Sequence, residues 1–178
     1  MNIKHLVRPN ILKLSPYSSA RSEYKGEASV FLDANENPYG TGYNRYPDPL
    51  QWRLKEKIGP LKGIAPEHIF LGNGSDEVID LLIRIFCEPK QDHIITLPPT
   101  YGMYKVSADI ANVEVKEVLL NKRFQPDVEA ILENTNEQSK LLFLCSPNNP
   151  TGNSFPLEAI AQLATAFSGI TVVDEAYI

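Results

Sequence analysis

The chain has 178 residues and a formal net charge of −5 at pH 7; 43% of its residues are hydrophobic and 22% are charged. This composition is typical of a globular domain and excludes a disordered chain, and the acidic balance argues against a general nucleic-acid-binding surface. No apolar run approaches the roughly 18 residues that a membrane span needs, and the first residues lack a secretory signal. We therefore expect a cytoplasmic protein with neither nucleic acid nor a membrane among its partners.

Cysteine and histidine usage gives no sign of a metal site or a disulfide framework. Cys87 and Cys145 each lie in an apolar run, so we expect buried free thiols in a reducing compartment. The histidines are scattered along the chain, so we expect no metal.

The beginning of the chain and the remainder have different patterns. Residues 1–48 are rich in proline and turn-forming residues, which predicts an extended N-terminal arm. Residues 49–178 alternate between helical and strand patterns and form the predicted large domain. We predict helices over 50–61, 78–86, 103–111 and 156–167, with a break in the first at Gly59-Pro60, and a further helix that begins at Pro126. We predict strands over 68–71, 94–97, 113–119, 141–145 and 170–174. This alternation indicates an α/β domain with a mainly parallel sheet.

The turn LGNGSDE, which follows the first predicted strand, is a candidate phosphate site. Gly72 and Gly74 allow a tight turn, Ser75 is expected to cap the following helix, and Asp76 lies in its first turn. The free N–H groups of a helix N-terminus bind phosphate well, although a plain capped helix is the simpler interpretation. Because a carboxylate near an anion is unfavourable, the Asp76 side chain has to point elsewhere.

Three more predicted strands end in polar or aromatic side chains, at the edge where parallel sheets bind ligands. Tyr101, in LPPTYGMY, can either pack or stack on an aromatic ligand. The loop CSPNNPTG contains enough proline to be stiff, and it presents the amides of Asn148 and Asn149. Asp174 closes an apolar strand in VVDEAYI, where a carboxylate needs a cationic partner.

Seven stretches in this order resemble the fold-type I aminotransferases that depend on pyridoxal 5'-phosphate (PLP), and most closely those of the histidinol-phosphate type. The stretches are LSPYSSAR, LDANENPYG, NRYPDP, LGNGSDEVIDLLIRIFCEP, PPTYGMY, CSPNNPTG and VDEAYI. The resemblance implies the fold-type I architecture, a mainly parallel sheet with helices on both faces, and PLP as the cofactor. It also implies exchange of an amino group between L-glutamate and imidazole-acetol phosphate in histidine biosynthesis.

The resemblance also assigns roles to individual residues. It places the backbone N–H groups of Gly74, Ser75 and Asp76 at the cofactor phosphate. Around the pyridine ring it places Tyr101 on the ring face, Asn149 and Tyr177 at the phenolic oxygen, and Asp174 at the nitrogen. It places Tyr46 at the cofactor phosphate of the other subunit, and Tyr17 and Asn35 near the substrate. The role of Tyr46 implies a homodimer with shared sites. An ionised Asp174 would keep the ring nitrogen protonated, which the ring needs in order to accept electrons from the substrate.

Two functional parts of such enzymes are not found in these residues. The resemblance places a cofactor-binding lysine beyond the strand that ends at Asp174, and neither Lys105 nor Lys140 fits that role. The substrate-binding arginines of a C-terminal small domain lie beyond that strand as well. We therefore expect the chain to be the first part of a longer enzyme and to be inactive alone, with an exposed sheet edge that favours association.

Other functions stay open on the sequence alone. An aminotransferase for aromatic amino acids or a phosphothreonine-type decarboxylase would have similar motifs, and substrate preference would separate them. A non-catalytic PLP-binding module would not need both a stiff CSPNNPTG loop and a buried acid. A nucleotide-binding Rossmann domain would need G-x-G-x-x-G after the first strand, and LGNGSDE has only G-x-G.

Overall fold

The computed structural model describes residues 3–18, 24, 26, 29–32 and 34–178. The chain divides into two compact units, one formed by the residues up to Lys13 together with 72–178, and the other by 14–71. The first unit therefore includes the beginning of the predicted arm, and the second includes the rest of it and the first predicted helix. The predicted boundary between residues 48 and 49 stays a prediction about the domains of the complete protein.

Within the described part of the first unit, parallel strands form a sheet in the order β2-β1-β3-β4. The strands are β1 His93–Thr96, β2 Glu114–Glu117, β3 Ser139–Cys145 and β4 Ile170–Asp174. The central strands β1 and β3 are almost entirely buried, which explains their continuous apolar sequences. The predicted α/β class with a mainly parallel sheet is confirmed.

Helices cover both faces of this sheet, and the side chains of β3 alternate between the two faces. The helices of the first unit are α1 Pro9–Leu12, α3 Gly74–Phe86, α4 Met103–Ile110, α5 Val128–Glu133 and α6 Leu157–Ala166. Helix α2, Trp52–Lys62, belongs to the second unit. Phe143 packs with side chains of α3 and α4, and Leu142 packs with side chains of α5 and α6. Burying each such side chain stabilises the fold by about 1.5–3 kcal/mol. None of the helices in the described ranges is both long and apolar enough to cross a bilayer.

Residues 6–8 pack against the C-terminal end of α3. Leu6 and Val7 contact the core on this face of the sheet. The guanidinium of Arg8 donates to Oε2 of Glu88 at 2.8 Å, in an ion pair that is partly exposed and therefore contributes at most about 1 kcal/mol. These contacts explain why the segment up to Lys13 belongs to the first unit.

Two predictions for the second unit are wrong. Residues 68–71 form no strand with any described residue; a 3-10 turn occupies Pro66–His68, because a short apolar run becomes a strand only where a neighbouring strand can pair with it. Helix α2 does not break at Gly59-Pro60, since a proline in the last turns removes only one helical hydrogen bond. The helix ends instead at Gly63, whose φ of 66° suits a glycine.

Candidate active site

The carboxyl ends of the strands lie at one edge of the sheet, because all the strands run in the same direction. Cys145 and Asp174 are paired neighbours at the ends of β3 and β4. Tyr101 lies in the connection from β1 to α4, and Asn149 lies in the loop that follows β3. Several of the predicted site residues of the first unit therefore belong to the same edge.

Asp174 is held by two neutral hydrogen-bond donors. The hydroxyl of Tyr104 donates to its Oδ2 at 2.6 Å, and the backbone N–H of Ala176 donates to its Oδ1 at 3.1 Å. Among the described residues of this unit, no lysine, arginine or histidine forms an ion pair with the carboxylate, so the cationic partner expected from the sequence is not supplied there. The carboxylate can therefore receive a cation from a ligand.

Tyr104 is fully buried beside Asp174. Its ring stacks on Phe143 with the centroids 4.6 Å apart and meets the ring of Tyr101 edge-on at 5.6 Å. Burial, followed by the hydrogen bond to Asp174, raises the pKa of Tyr104 far above its ordinary value. The hydroxyl therefore stays protonated throughout the neutral range and remains a hydrogen-bond donor to Asp174.

Helix α3 begins at Gly74, earlier than the sequence suggests. Ser75 is the second residue of the helix, so the prediction that it is the N-cap is wrong. The positive φ of Gly74, 76°, lets the chain enter the helix there, and the carboxylate of Glu77 accepts a hydrogen bond from the N–H of Asn73. Because the first N–H groups of a helix have no partner inside it, those of Gly74, Ser75 and Asp76 can hold an anion.

The side chain of Asp76 is directed toward Tyr101, which removes the conflict between its charge and an anion at the helix end. The hydroxyl of Tyr101 donates to Oδ1 of Asp76 at 3.0 Å. This hydrogen bond, ahead of burial and of the charges of Tyr177 and Asp174, raises the pKa of Tyr101. Asp76, Tyr101, Tyr104 and Asp174 thus form one continuous series of contacts.

A cavity of about 370 Å³ lies against α3 and β4. Its lining includes Ser75, Tyr104 and Asp174, together with the apolar side chains of Val78, Ile79, Leu82, Phe143 and Val172. Asn149 and Tyr177 line a different hollow of about 430 Å³. The structure therefore brings Asp174 to the N-terminus of α3 and connects Tyr101 to both, whereas Asn149 and Tyr177 form a second group.

A family model described as aminotransferase class I and II matches residues 20–178. The chain belongs to this family. Two curated relatives, the histidinol-phosphate aminotransferases of Christiangramia forsetii and Parabacteroides distasonis, are 59% and 57% identical to it, and each match covers 99% of this chain. The matches cover 51% of each relative, so the chain spans about half the length of the curated relatives it matches. The family expected from the sequence motifs is confirmed.

Solved aminotransferase structures have the same fold. The histidinol-phosphate aminotransferase of Sinorhizobium meliloti in complex with PLP matches 75% of this chain and 36% of its own, with a TM-score of 0.68 and 24% identity. The N-succinyldiaminopimelate aminotransferase of Mycobacterium tuberculosis matches 75% of this chain and 38% of its own, with a TM-score of 0.67 and 26% identity. These likenesses confirm the fold-type I architecture.

In this member of the family, Asn148 fixes the CSPNNPTG loop, a role that the sequence analysis did not assign. The side chain is 2% exposed, and its Nδ2 donates to the carbonyl of Pro99 at 2.9 Å and to Oγ1 of Thr151 at 2.6 Å. Its Oδ1 accepts from the hydroxyl of Thr100 at 3.0 Å. Asn148 therefore ties the loop after β1 to the loop after β3, and the less buried Asn149 remains free to meet a ligand.

The other predicted site residues lie in the second unit. Tyr17 and Tyr46 are 93% and 69% exposed, and Asn35 is exposed as well. The backbone N–H of Tyr46 donates to Oε1 of Glu36 at 2.7 Å, which fixes the backbone of the NRYPDP motif. The roles of these three residues stay predictions.

Proposed function

We propose that this chain forms part of a PLP-dependent aminotransferase that converts imidazole-acetol phosphate and L-glutamate reversibly to L-histidinol phosphate and 2-oxoglutarate. One observation carries the proposal: a single cavity borders both the N-terminus of α3, which favours a phosphate, and the carboxylate of Asp174, which favours a protonated ring nitrogen. The choice of substrate rests on the curated relatives, which are histidinol-phosphate aminotransferases at 57% and 59% identity.

The strand-end residues fit both charged ends of PLP. The N–H groups of Gly74, Ser75 and Asp76, with the positive end of the helix dipole, would hold the phosphate, a term worth about 0.3–1 kcal/mol for an exposed anion. Asp174 would hold the proton on the ring nitrogen, because its own unit gives it no cationic partner among the described residues. Once bound, PLP supplies the electron sink for breaking the Cα–H bond of the substrate.

The remaining residues of the first unit would orient the ring. Tyr101 offers an aromatic face, and its hydrogen bond to Asp76 limits the rotation of that face. Asn149 and Tyr177 border the same hollow, so their side chains can donate to one acceptor, which we assign as the phenolic oxygen of the ring. The apolar lining from Phe143 and Val172 would lower the local dielectric constant beside Asp174 and so strengthen its pairing with the ring nitrogen.

The second unit would complete the site in a homodimer. We assign Tyr46 to the cofactor phosphate of the partner subunit, and Tyr17 and Asn35 to the substrate. The high exposure of both tyrosines leaves their side chains accessible for these contacts. We place the enzyme in the cytoplasm, where the buried free thiols of Cys87 and Cys145 would stay reduced.

The first test replaces Asp174, in the complete protein that contains this chain, since the relatives are about twice as long. Asp174→Asn should bind PLP more weakly and lower the rate of transamination by about a hundredfold to a thousandfold, because it removes the charge opposite the ring nitrogen. Glu158→Gln, an exposed acid on α6 across the sheet, is the matched control and should keep the wild-type rate. A wild-type rate in Asp174→Asn would contradict the assignment of Asp174.

The second test compares amino donors, with 2-oxoglutarate as the acceptor. We expect kcat/KM for L-histidinol phosphate to exceed that for phenylalanine or tyrosine by about a hundredfold or more. The reason is that the hydrogen-bond donors of a phosphate-binding site stay unpaired when a substrate without a phosphate binds. A preference for aromatic amino acids would replace the proposed substrate. Release of carbon dioxide would indicate a decarboxylase, and PLP binding without turnover of any donor would indicate a non-catalytic module.

A further inference from the structure

The hydroxyl of Tyr104 is the only side-chain donor to Asp174 that the described residues of the first unit provide. It approaches Oδ2 at 2.6 Å, a short distance that is typical of a hydroxyl bonded to an ionised carboxylate. The other donor, the N–H of Ala176, belongs to the turn that Asp174 itself begins and so follows any movement of that turn.

Tyr104 cannot turn its hydroxyl away from Asp174, because its ring is fixed on two sides. The ring lies nearly parallel to that of Phe143, at an interplanar angle of 17°, and nearly perpendicular to that of Tyr101, at 86°. The side chain has no exposed surface, so rotation would require the core between α4 and β3 to open. The hydroxyl is therefore a rigid reference point beside a strand that, within the described residues, pairs only with β3.

We propose that Tyr104 is a positioning residue, which holds the carboxylate of Asp174 in place on the cavity floor before the cofactor arrives. The inference rests on the proposed function, and it adds a residue that acts through Asp174. A free aspartate side chain would have to be immobilised when the cofactor binds, at a cost of about 0.5–1.5 kcal/mol, or roughly twofold to tenfold in affinity. Tyr104 removes that cost by fixing Asp174 in advance.

A double-mutant cycle separates this role from simple packing. The dissociation constant for PLP is measured by absorbance titration of the complete apoprotein for the wild type, Tyr104→Phe, Asp174→Ala and the double variant. Tyr104→Phe keeps the ring and both aromatic contacts and removes only the hydroxyl. We expect it to raise the dissociation constant about threefold to tenfold in the wild-type background and by less than about twofold in the Asp174→Ala background. Tyr43→Phe, at an exposed tyrosine of the second unit, is the matched control and should change nothing.

Three outcomes would overturn the inference. An equal effect of Tyr104→Phe in both backgrounds would show that the hydroxyl acts independently of Asp174. An unchanged dissociation constant would show that Asp174 needs no support, and loss of folding in Tyr104→Phe, seen by circular dichroism, would show that the hydroxyl serves the fold. If the wild type itself fails to bind PLP, the proposed function fails as well, whereas the first three outcomes leave that function standing.

Discussion

The two edges of the sheet in the first unit carry polar side chains in different ways. At the amino ends of the strands, Nε2 of His93 lies 2.6 Å from Oγ of Ser139, which also accepts from the N–H of Asn136 at 2.9 Å. The ammonium of Lys140 lies 3.6 Å from the carboxylate of Asp92. At the carboxyl ends, the described residues of its own unit supply Asp174 with neutral donors only.

This difference distinguishes a structural edge, at the amino ends of the strands, from a functional edge, at their carboxyl ends. The polar groups named at the amino ends are paired with each other, so they stabilise the fold. The carboxyl ends combine an acid that lacks a cation with a helix end whose N–H groups are free, an arrangement that stabilises a bound ligand more than the empty fold. Variants at the two edges should therefore affect different measurements.

The largest effect on stability should come from Asn148, which is a paired group at the functional edge. Asn148→Ala leaves the carbonyl of Pro99 and the hydroxyl of Thr100 without their partner, and we expect the free energy of unfolding to fall by about 3 kcal/mol. Chemical denaturation of the complete apoprotein measures this change. Asn149→Ala is the matched variant: it should change the free energy of unfolding by less than about 0.5 kcal/mol, yet it should weaken PLP binding. Equal destabilisation by both variants would contradict the division of roles between the two asparagines.

Asn148 also shows where prediction from sequence ended. The residue types of CSPNNPTG indicated a stiff loop at a strand end, and in the structure Asn148 carries hydrogen bonds to the loop after β1 and to Thr151 of its own loop. The sequence could not tell which asparagine faces inward, because that depends on the position of the loop after β1, which lies far away in the chain. The strand ending at Asp174 was predictable from a local apolar run, but its contact with Tyr104 depends on how α4 packs on the sheet.

The predictions from sequence were wrong where local residue preference did not determine the path of the backbone. Residues 68–71 have a strand-like composition, but the described residues offer them no neighbouring strand. Ser75 has the composition of an N-cap, but the positive φ of Gly74 lets the helix start before it. In both places local preference was overridden by the path of the backbone, which a single residue type does not determine.

A smaller effect is expected from His93 at the structural edge, and it depends on pH. Burial, followed by the charge of Lys116, lowers the pKa of His93. The unfolded chain then binds a proton more readily than the folded one, so stability is complete above the ordinary histidine pKa of about 6.5 and decreases as the pH falls below it. Between pH 7.5 and 5.5 the wild type should therefore lose more stability than His93→Gln does.

The control for this pH effect is His68→Gln, at an exposed histidine of the second unit, which should lose as much stability as the wild type. His93→Gln should bind PLP at pH 7.5 with wild-type affinity, because His93 lies at the opposite edge from Asp174. A weaker affinity would contradict the distinction between the two edges, since it would show that the structural edge also contributes to cofactor binding.

The smallest effect should come from Tyr101, whose hydrogen bond to Asp76 is partly exposed at the functional edge. Tyr101→Phe should raise the dissociation constant for PLP by only about twofold to threefold, because it keeps the ring and removes a bond that orients it. Asp76→Ala removes the same bond from the other side, so it should have the same effect, and the double variant should be no worse than either. Tyr101→Ala should weaken binding further, because the stacking face is then lost. If Tyr101→Phe were as damaging as Tyr101→Ala, the hydroxyl itself would contact the ligand, and Asp76 would compete with the ligand for it.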